Sequence, residues 1–198
     1  MNSLNKDSKK IITSIVEIEL DMFLQVRSIS TSVCQEQPDA FKVMREMTHS
    51  ILSPETLNSY LDDLRKAKGG NRNLVTEKYA RMANQIPPLK NHPLIQKIVG
   101  SESRWLKEFN DTFPHIHNTR GPEFEIYLSS ELETYSDKTI ALYYQDIVNA
   151  QETGINLAEA RYNKLAKTLG YPSINQMEQA MAGKTMRQYK GRGFPHKL

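Results

Sequence analysis

KKIITSIVEIELDMFLQV, residues 9–26, is the stretch that decides the architecture. Ile11, Ile12, Ile15, Met22, Phe23 and Val26 recur at helical spacing, with no alternating run to suggest a strand. The same period governs the rest of the chain. Pro38 suits the first turn of a second helix carrying Phe41, Met44, Met47 and Ile51. Ser53-Pro54-Glu55 opens a third with a hydroxyl cap, a proline at the first helical position and an acid near the positive end of the helix dipole. Leu57, Tyr60, Leu61 and Leu64 form its apolar face, and Gly69-Gly70 stop it.

Asn71 to Asn73 start a fourth helix with Leu74, Val75, Tyr79, Met82 and Ile86, closed by Pro87-Pro88. A fifth begins near Pro93 and carries Leu94, Ile95, Ile98, Trp105 and Phe109. DTFPHIHNTRGP, from Asp111 to Pro122, reads as a loop. Helices are expected again from Glu123 to about Tyr135 and from Asp137 to about Gln151. A final pair, NLAEARYNKLAKTLG and SINQMEQAMAG, is joined at Gly170-Tyr171-Pro172. No internal repeat or low-complexity tract is visible. The expected class is all-α: one compact bundle of eight or nine helices over residues 1–183, with a polar interhelical pocket. Residues 184–198 read as a basic, flexible C-terminal tail.

Composition bounds the function. The chain has 198 residues, 38% of them apolar and 25% charged, and a net charge of +3. That balance excludes a strongly basic nucleic-acid coat and an acidic disordered chain. Five bases and no acid lie between Lys184 and Leu198; without them 21 bases face 23 acids, a net charge of -2. A single Cys excludes a disulfide framework and suits a reducing compartment. No apolar run is long enough to span a membrane, and MNSLNKDSKK is not a signal peptide, so a cytoplasmic location is expected.

Helical wheels expose an anomaly. Glu19 falls inside the stripe of Ile12, Ile15, Met22 and Val26, whereas Glu17 lies opposite, where a glutamate belongs. Glu102 sits between Ile98 and Trp105, and Glu131 shares a face with Tyr127, Leu128 and Tyr135. A buried carboxylate needs a cation, hydrogen bonds or a metal. Candidate cations are Arg45, Lys78, Arg72 and Arg81. Either the pairs are structural ties between helices, or they form a polar pocket whose burial creates acids, bases or ligands.

Other chemistry finds less support. Glu46-Met47-Thr48-His49 has the spacing of a di-metal bundle, but both side chains point away from the stripe of Phe41, Met44 and Ile51, and no second copy occurs. His115 and His117 share a side of an extended segment, yet surface histidines fit that loop better than a metal clamp. Cys34, just ahead of a helix, is a candidate reactive thiol, although no His is placed to activate it and an inert buried thiol is the simpler reading. Lys78 would serve as a Schiff-base lysine if desolvated; an ion pair with Glu77 or a neighbouring carboxylate is the plainer role. No cofactor and no metal is named by these residues. The terminal helix pair looks superficially like a helix-turn-helix, but SINQMEQAM has an acid and no base, which disfavours nucleic acid.

Three stretches, taken together, carry a resemblance. They are IVEIELDMFLQV leading into CQEQPDAFKVMRE, SYLDDLRKAKGGNRNLVTEKYARM, and FEIYLSSELETYSDKTIALYY. In order and spacing they resemble the bacterial and archaeal family known as domain of unknown function 4125, over about residues 10 to 180. The resemblance implies one cytoplasmic domain and no particular reaction. It places Glu19, Cys34, Gln35, Arg45, Arg72, Asn73, Glu77, Lys78, Tyr79, Arg81, Glu131 and Tyr135 in the characteristic motifs. The family pattern is Gly-rich ahead of the Cys, where this chain reads SISTSV, and has a Gln-Phe pair where this chain has Thr48-His49.

Two functions remain open on the sequence. One is a small helical enzyme in which Glu19, Glu131 and Lys78 are catalytic and Arg45, Arg72, Arg81, Tyr79, Tyr135 and Gln35 hold a small anionic substrate or cofactor. The other is a binding or regulatory module whose buried ion pairs are structural. The oligomeric state is left open.

Overall fold

The computed structural model describes residues 2–26, 38–116 and 122–191, with the backbone alone for 2–6, 122 and 184–191. Among the described residues there are nine helices and no strand: α1 (Asn2–Leu24), α2 (Pro38–His49), α3 (Pro54–Gly69), α4 (Leu74–Met82), α5 (Pro93–Thr112), α6 (Pro122–Leu132), α7 (Asp137–Glu152), α8 (Leu157–Thr168) and α9 (Ile174–Gly191). The all-α expectation holds. The last helix carries on to Gly191, past the boundary expected at residue 183, and residues 192–198 lie outside the described residues. No helix among the described residues is long and apolar enough to cross a membrane.

Four of these helices start on Ser or Asn caps, and the caps come in matching pairs. The hydroxyls of Ser53 and Ser136 accept from the backbone N–H three residues on, ahead of α3 and α7. The amide oxygens of Asn73 and Asn156 do the same ahead of α4 and α8. Each pair is separated by 83 residues. The motif Ser53-x-x-Thr56-x-x-x-Tyr60-x-x-Asp63 returns at the same offset as Ser136-x-x-Thr139-x-x-x-Tyr143-x-x-Asp146.

The offset extends to whole helices and to single hydrogen bonds. It maps α1 onto α5, α2 onto α6, α3 onto α7 and α4 onto α8. Asn73 Nδ2 donates to the Met22 carbonyl at 2.8 Å, and Asn156 Nδ2 donates to the Trp105 carbonyl at 3.1 Å. Arg72 N and Ile155 N reach back to the carbonyls of Ala67 and Ala150, both at 2.8 Å. The left-handed turn residues are Asn71 (φ 55°) and Gly154 (φ 67°). The chain therefore contains two copies of a four-helix unit, and the expectation of no internal repeat is corrected. The repeat is hard to see because much of the identity between the copies sits at buried and capping positions, such as Ile15/Ile98, Val16/Val99 and Leu74/Leu157, while the surfaces differ.

The two units pack about an approximate twofold axis. Within each, α1 contacts α2, α3 and α4, and α5 contacts α6, α7 and α8. Across the axis, α3 packs on α7, while α2 packs on α8 and α6 on α4. Ile15, Leu57, Leu64, Ile98, Leu132, Ile140 and Ile147 are fully buried along these contacts. Outside the repeat, α9 rests on α8. Its Glu178 accepts hydrogen bonds from His115 N and Ile116 N and lies 2.6 Å from His115 Nδ1, which fastens the end of the fifth-helix loop. That His115 is exposed fits the surface reading; His117 lies outside the described residues.

Candidate functional site

Equivalent helices carry equivalent buried glutamates. Glu19 on α1 and Glu102 on α5 are 1% and 0% exposed, as their wheel positions predict. Each accepts a hydrogen bond from the tyrosine of the repeated motif, Tyr60 to Glu19 and Tyr143 to Glu102, both at 2.8 Å. From there the two centres diverge.

The Glu102 centre is small. Arg161 of α8 donates through Nη1 to Glu102 Oε2 at 2.8 Å and through Nη2 to Oε1, and Nη2 also reaches the Tyr143 hydroxyl at 3.3 Å. Leu128 and Leu132 of α6, the helix packed on α5, are buried. One anion, one cation and one hydroxyl complete it.

The Glu19 centre is larger. Arg45 of α2 stands where the other unit has Leu128, and His49 where it has Leu132. Arg45 grips Glu19 in a two-pronged pair, Nε to Oε2 at 2.8 Å and Nη2 to Oε1 at 2.6 Å. It also grips Glu131 from α6, Nη2 to Oε1 at 2.8 Å and Nη1 to Oε2 at 3.3 Å. Lys78 of α4, the counterpart of Arg161, donates to Glu131 Oε2 and to the Tyr127 hydroxyl, each at 3.1 Å. The Tyr135 hydroxyl donates to Glu131 Oε1 at 2.9 Å. Two carboxylates thus face two cations.

Hydrogen counting fixes the histidine. His49 Nε2 lies 3.1 Å from both Glu19 oxygens and 3.2 Å from Arg45 Nη2. The two hydrogens of Nη2 are taken by Glu19 and Glu131, so none is left for His49. His49 therefore carries a proton on Nε2 and donates to Glu19, which leaves Nδ1 buried without a hydrogen-bond partner among the described residues. This corrects the expectation that His49 points away from the core: it is 1% exposed, and Met44, expected inside, is 39% exposed. The face of α2 is set by α1 on one side and α8 on the other, which turns its buried stripe onto Arg45 and His49. Glu46 is exposed, so the two residues with di-metal spacing are split between surface and core. Among the described residues, no three His, Cys, Asp or Glu side chains converge to hold a metal ion.

Charge states follow from the pairing. Burial alone would raise the carboxyl pKa of Glu19, but Arg45 and His49 beside it hold it well below the usual range. Burial is likewise outweighed at Glu131 by Arg45 and Lys78. Against their own desolvation, Arg45 is held cationic by Glu131 and Glu19, and Lys78 by Glu131. Burial and the adjacent carboxylates push the hydroxyls of Tyr60 and Tyr135 well above 10.0. The free space among these groups is about 10 Å³, room for about one water. At these residues the polar interhelical pocket that was expected is a filled ionic centre.

A groove of about 420 Å³ adjoins it, and Leu74 and Thr134 line both. Its walls come from the C-terminal half of α3, the start of α4, and the turn from α6 into α7. Lys66, Arg72 and Lys90 supply positive charge there and Asp63 and Glu133 negative charge, Asp63 being tied to Ser136 and Thr139 and Glu133 to Arg81; Tyr135 forms part of the wall. The Lys66 ammonium has no ion pair among the described residues. Arg72 is held by a two-pronged pair with Glu77, and Lys90 by the Tyr135 carbonyl and Asp137.

A family model described as a protein of unknown function (DUF4125) matches residues 9–179. The chain belongs to that family. It matches no curated protein and no solved structure. In this DUF4125 protein Glu19, Arg45, Lys78, Glu131 and Tyr135, all expected as site residues from the sequence, meet in the ionic centre, while Arg72 lies in the groove.

Other residues expected at the site of this DUF4125 protein stand apart. Arg81 binds Glu133 and the Ile86 carbonyl, bracing the segment after α4. Tyr79 packs against Phe23 with the Lys78 ammonium 5.2 Å from its ring. Cys34 and Gln35 lie outside the described residues. Lys66, Lys90, His49, Tyr60 and Arg161 were not singled out as site residues from sequence. The repeated Ser-Thr-Tyr-Asp motif is the signal that marks both tyrosines and leads to Arg161.

Proposed function

We propose that the protein is a binding module for a small anionic molecule, held in the groove by Lys66, Arg72 and Lys90. The observation that carries this reading is a ligand-sized groove in which Lys66 has no ion pair among the described residues and Arg72 and Lys90 flank it, beside a centre whose own charges are already satisfied. A volume of about 420 Å³ suits a molecule with one phosphate or a few carboxylates. The ionic centre supports binding over acid–base chemistry. A carboxylate locked in its ionised form is a weak proton acceptor, and an ammonium held cationic is a poor nucleophile. Glu19, Glu131 and Lys78 then serve as a fixed, charged wall behind the ligand.

Calorimetric titration with inorganic phosphate and with citrate tests the reading. Saturable binding of either, weakened at least about tenfold by Lys66→Gln and by Lys90→Gln without loss of helical content, is the expected result. Absence of binding by both anions at millimolar concentration overturns it.

A further inference from the structure

The internal repeat lets one half of the molecule act as a reference for the other. The Glu102 centre folds with Leu128, Leu132, Thr48 and Leu52 at positions where the Glu19 centre or its surroundings carry Arg45, His49, Glu131 and Tyr135. The groove shows the same bias. Lys66, Arg72 and Thr134 correspond to Asn149, Ile155 and Ile51 on the opposite face. Every one of these differences adds a charge, an imidazole or a hydroxyl on the Glu19 side. A buried ion pair is rarely more stabilising than well-packed apolar residues of similar volume. Folding therefore does not require the additional groups, since the equivalent Glu102 centre packs without them.

We propose that Arg45, His49, Glu131 and Tyr135 are specificity residues, contributed by both units as a charge-balanced set to one of two equivalent centres, and that the fold needs only the Glu-Tyr-cation triad common to both centres. Placing the ligand beside them rests on the groove reading; the role in folding does not. Arg45 is the group that makes the set interdependent, because it alone bonds to both Glu19 and Glu131. Removing it strands two buried carboxylates. Removing the whole set, with Lys78 replaced by the arginine that its counterpart Arg161 supplies, strands none.

The experiment compares two variants by thermal unfolding. Arg45→Leu alone is expected to lower Tm by about 10 °C or more. The combined variant Arg45→Leu, His49→Leu, Lys78→Arg, Glu131→Thr and Tyr135→Leu copies the Glu102 centre and is expected to recover most of that loss, despite carrying four more substitutions. A combined variant no more stable than Arg45→Leu overturns the inference. The same combined variant, titrated with inorganic phosphate and citrate, is expected to bind at least about tenfold more weakly than the parent, with Lys66, Arg72 and Lys90 intact. Recovery of stability with unchanged anion binding would overturn the specificity role while leaving the groove reading in place. A parent protein that binds neither anion overturns the groove reading and leaves the folding comparison decisive on its own.

Discussion

Asp63 caps the helix that carries Asp146, and Asp146 caps the helix that carries Asp63. Asp146 Oδ2 accepts from Ser53 N at 3.1 Å and from the Thr56 hydroxyl at 2.7 Å. Asp63 Oδ2 accepts from Ser136 N at 2.9 Å and from the Thr139 hydroxyl at 2.6 Å. Each aspartate thus ties the start of one helix to the body of the other, and the exchange straddles the twofold axis.

Equal geometry predicts equal energetics. Asp63→Ala and Asp146→Ala should each cost about 2 kcal/mol, read as a fall in Tm of about 4–8 °C. A large loss for one and none for the other would show that the caps are equivalent in shape alone.

Stability should have a flat top and two shoulders in pH. Glu19 and Glu131 are lowered from the ordinary 4.5, so their contribution is complete above that value and is lost as pH falls toward the folded pKa values. Tyr60, Tyr135 and Tyr143 are raised above 10.0, so the unfolded chain loses those protons first and stability falls again as pH rises beyond it. Each group contributes a slope of about 1.4 kcal/mol per pH unit where it titrates. Urea unfolding across pH 3 to 11 measures this, and Glu131→Gln should make the acid shoulder shallower.

His49 should carry a proton on Nε2, as hydrogen counting around Arg45 requires. Nitrogen-detected long-range correlation of the ring, recorded at pH 7.5, reads the protonated nitrogen directly. A proton found on Nδ1 alone would mean that Glu19 has lost that bond.

Lys78 should be the slowest lysine to react. Its ammonium is buried, paired with Glu131 and held cationic. Brief acetylation at pH 8 followed by peptide mapping should leave Lys78 unmodified while exposed Lys66 is labelled. In Glu131→Gln, whose amide accepts a hydrogen bond but carries no negative charge, labelling of Lys78 should rise at least about tenfold.

Much of the helical pattern was legible because stripes and caps are local. Ser53, Pro93 and Asn73 mark helix starts through bonds within a few residues, and Glu19, Glu102 and Glu131 betrayed their burial by position on a wheel. The partners of those glutamates were less visible, since Arg45 meets Glu131 and Arg161 meets Glu102 only through tertiary packing. On α2 the apolar residues themselves misled: Met44 looked like core and His49 like surface, and packing by α1 and α8 reversed both. The groove could not be read at all, because Lys66, Arg72 and Lys90 sit on separate segments that fold onto one turn.

The crossed packing of α2 on α8 and of α6 on α4 has a consequence for synthesis on the ribosome. When the first unit has emerged, the face of α2 that will meet α8 and the face of α4 that will meet α6 are still bare. Glu131, which pairs with both Arg45 and Lys78 in the folded protein, has not yet emerged. Because α2 ends at His49 and α8 begins at Leu157, more than a hundred residues must be added before α2 gains its cover. Through that interval its apolar and charged faces are open to chaperones and to other nascent chains.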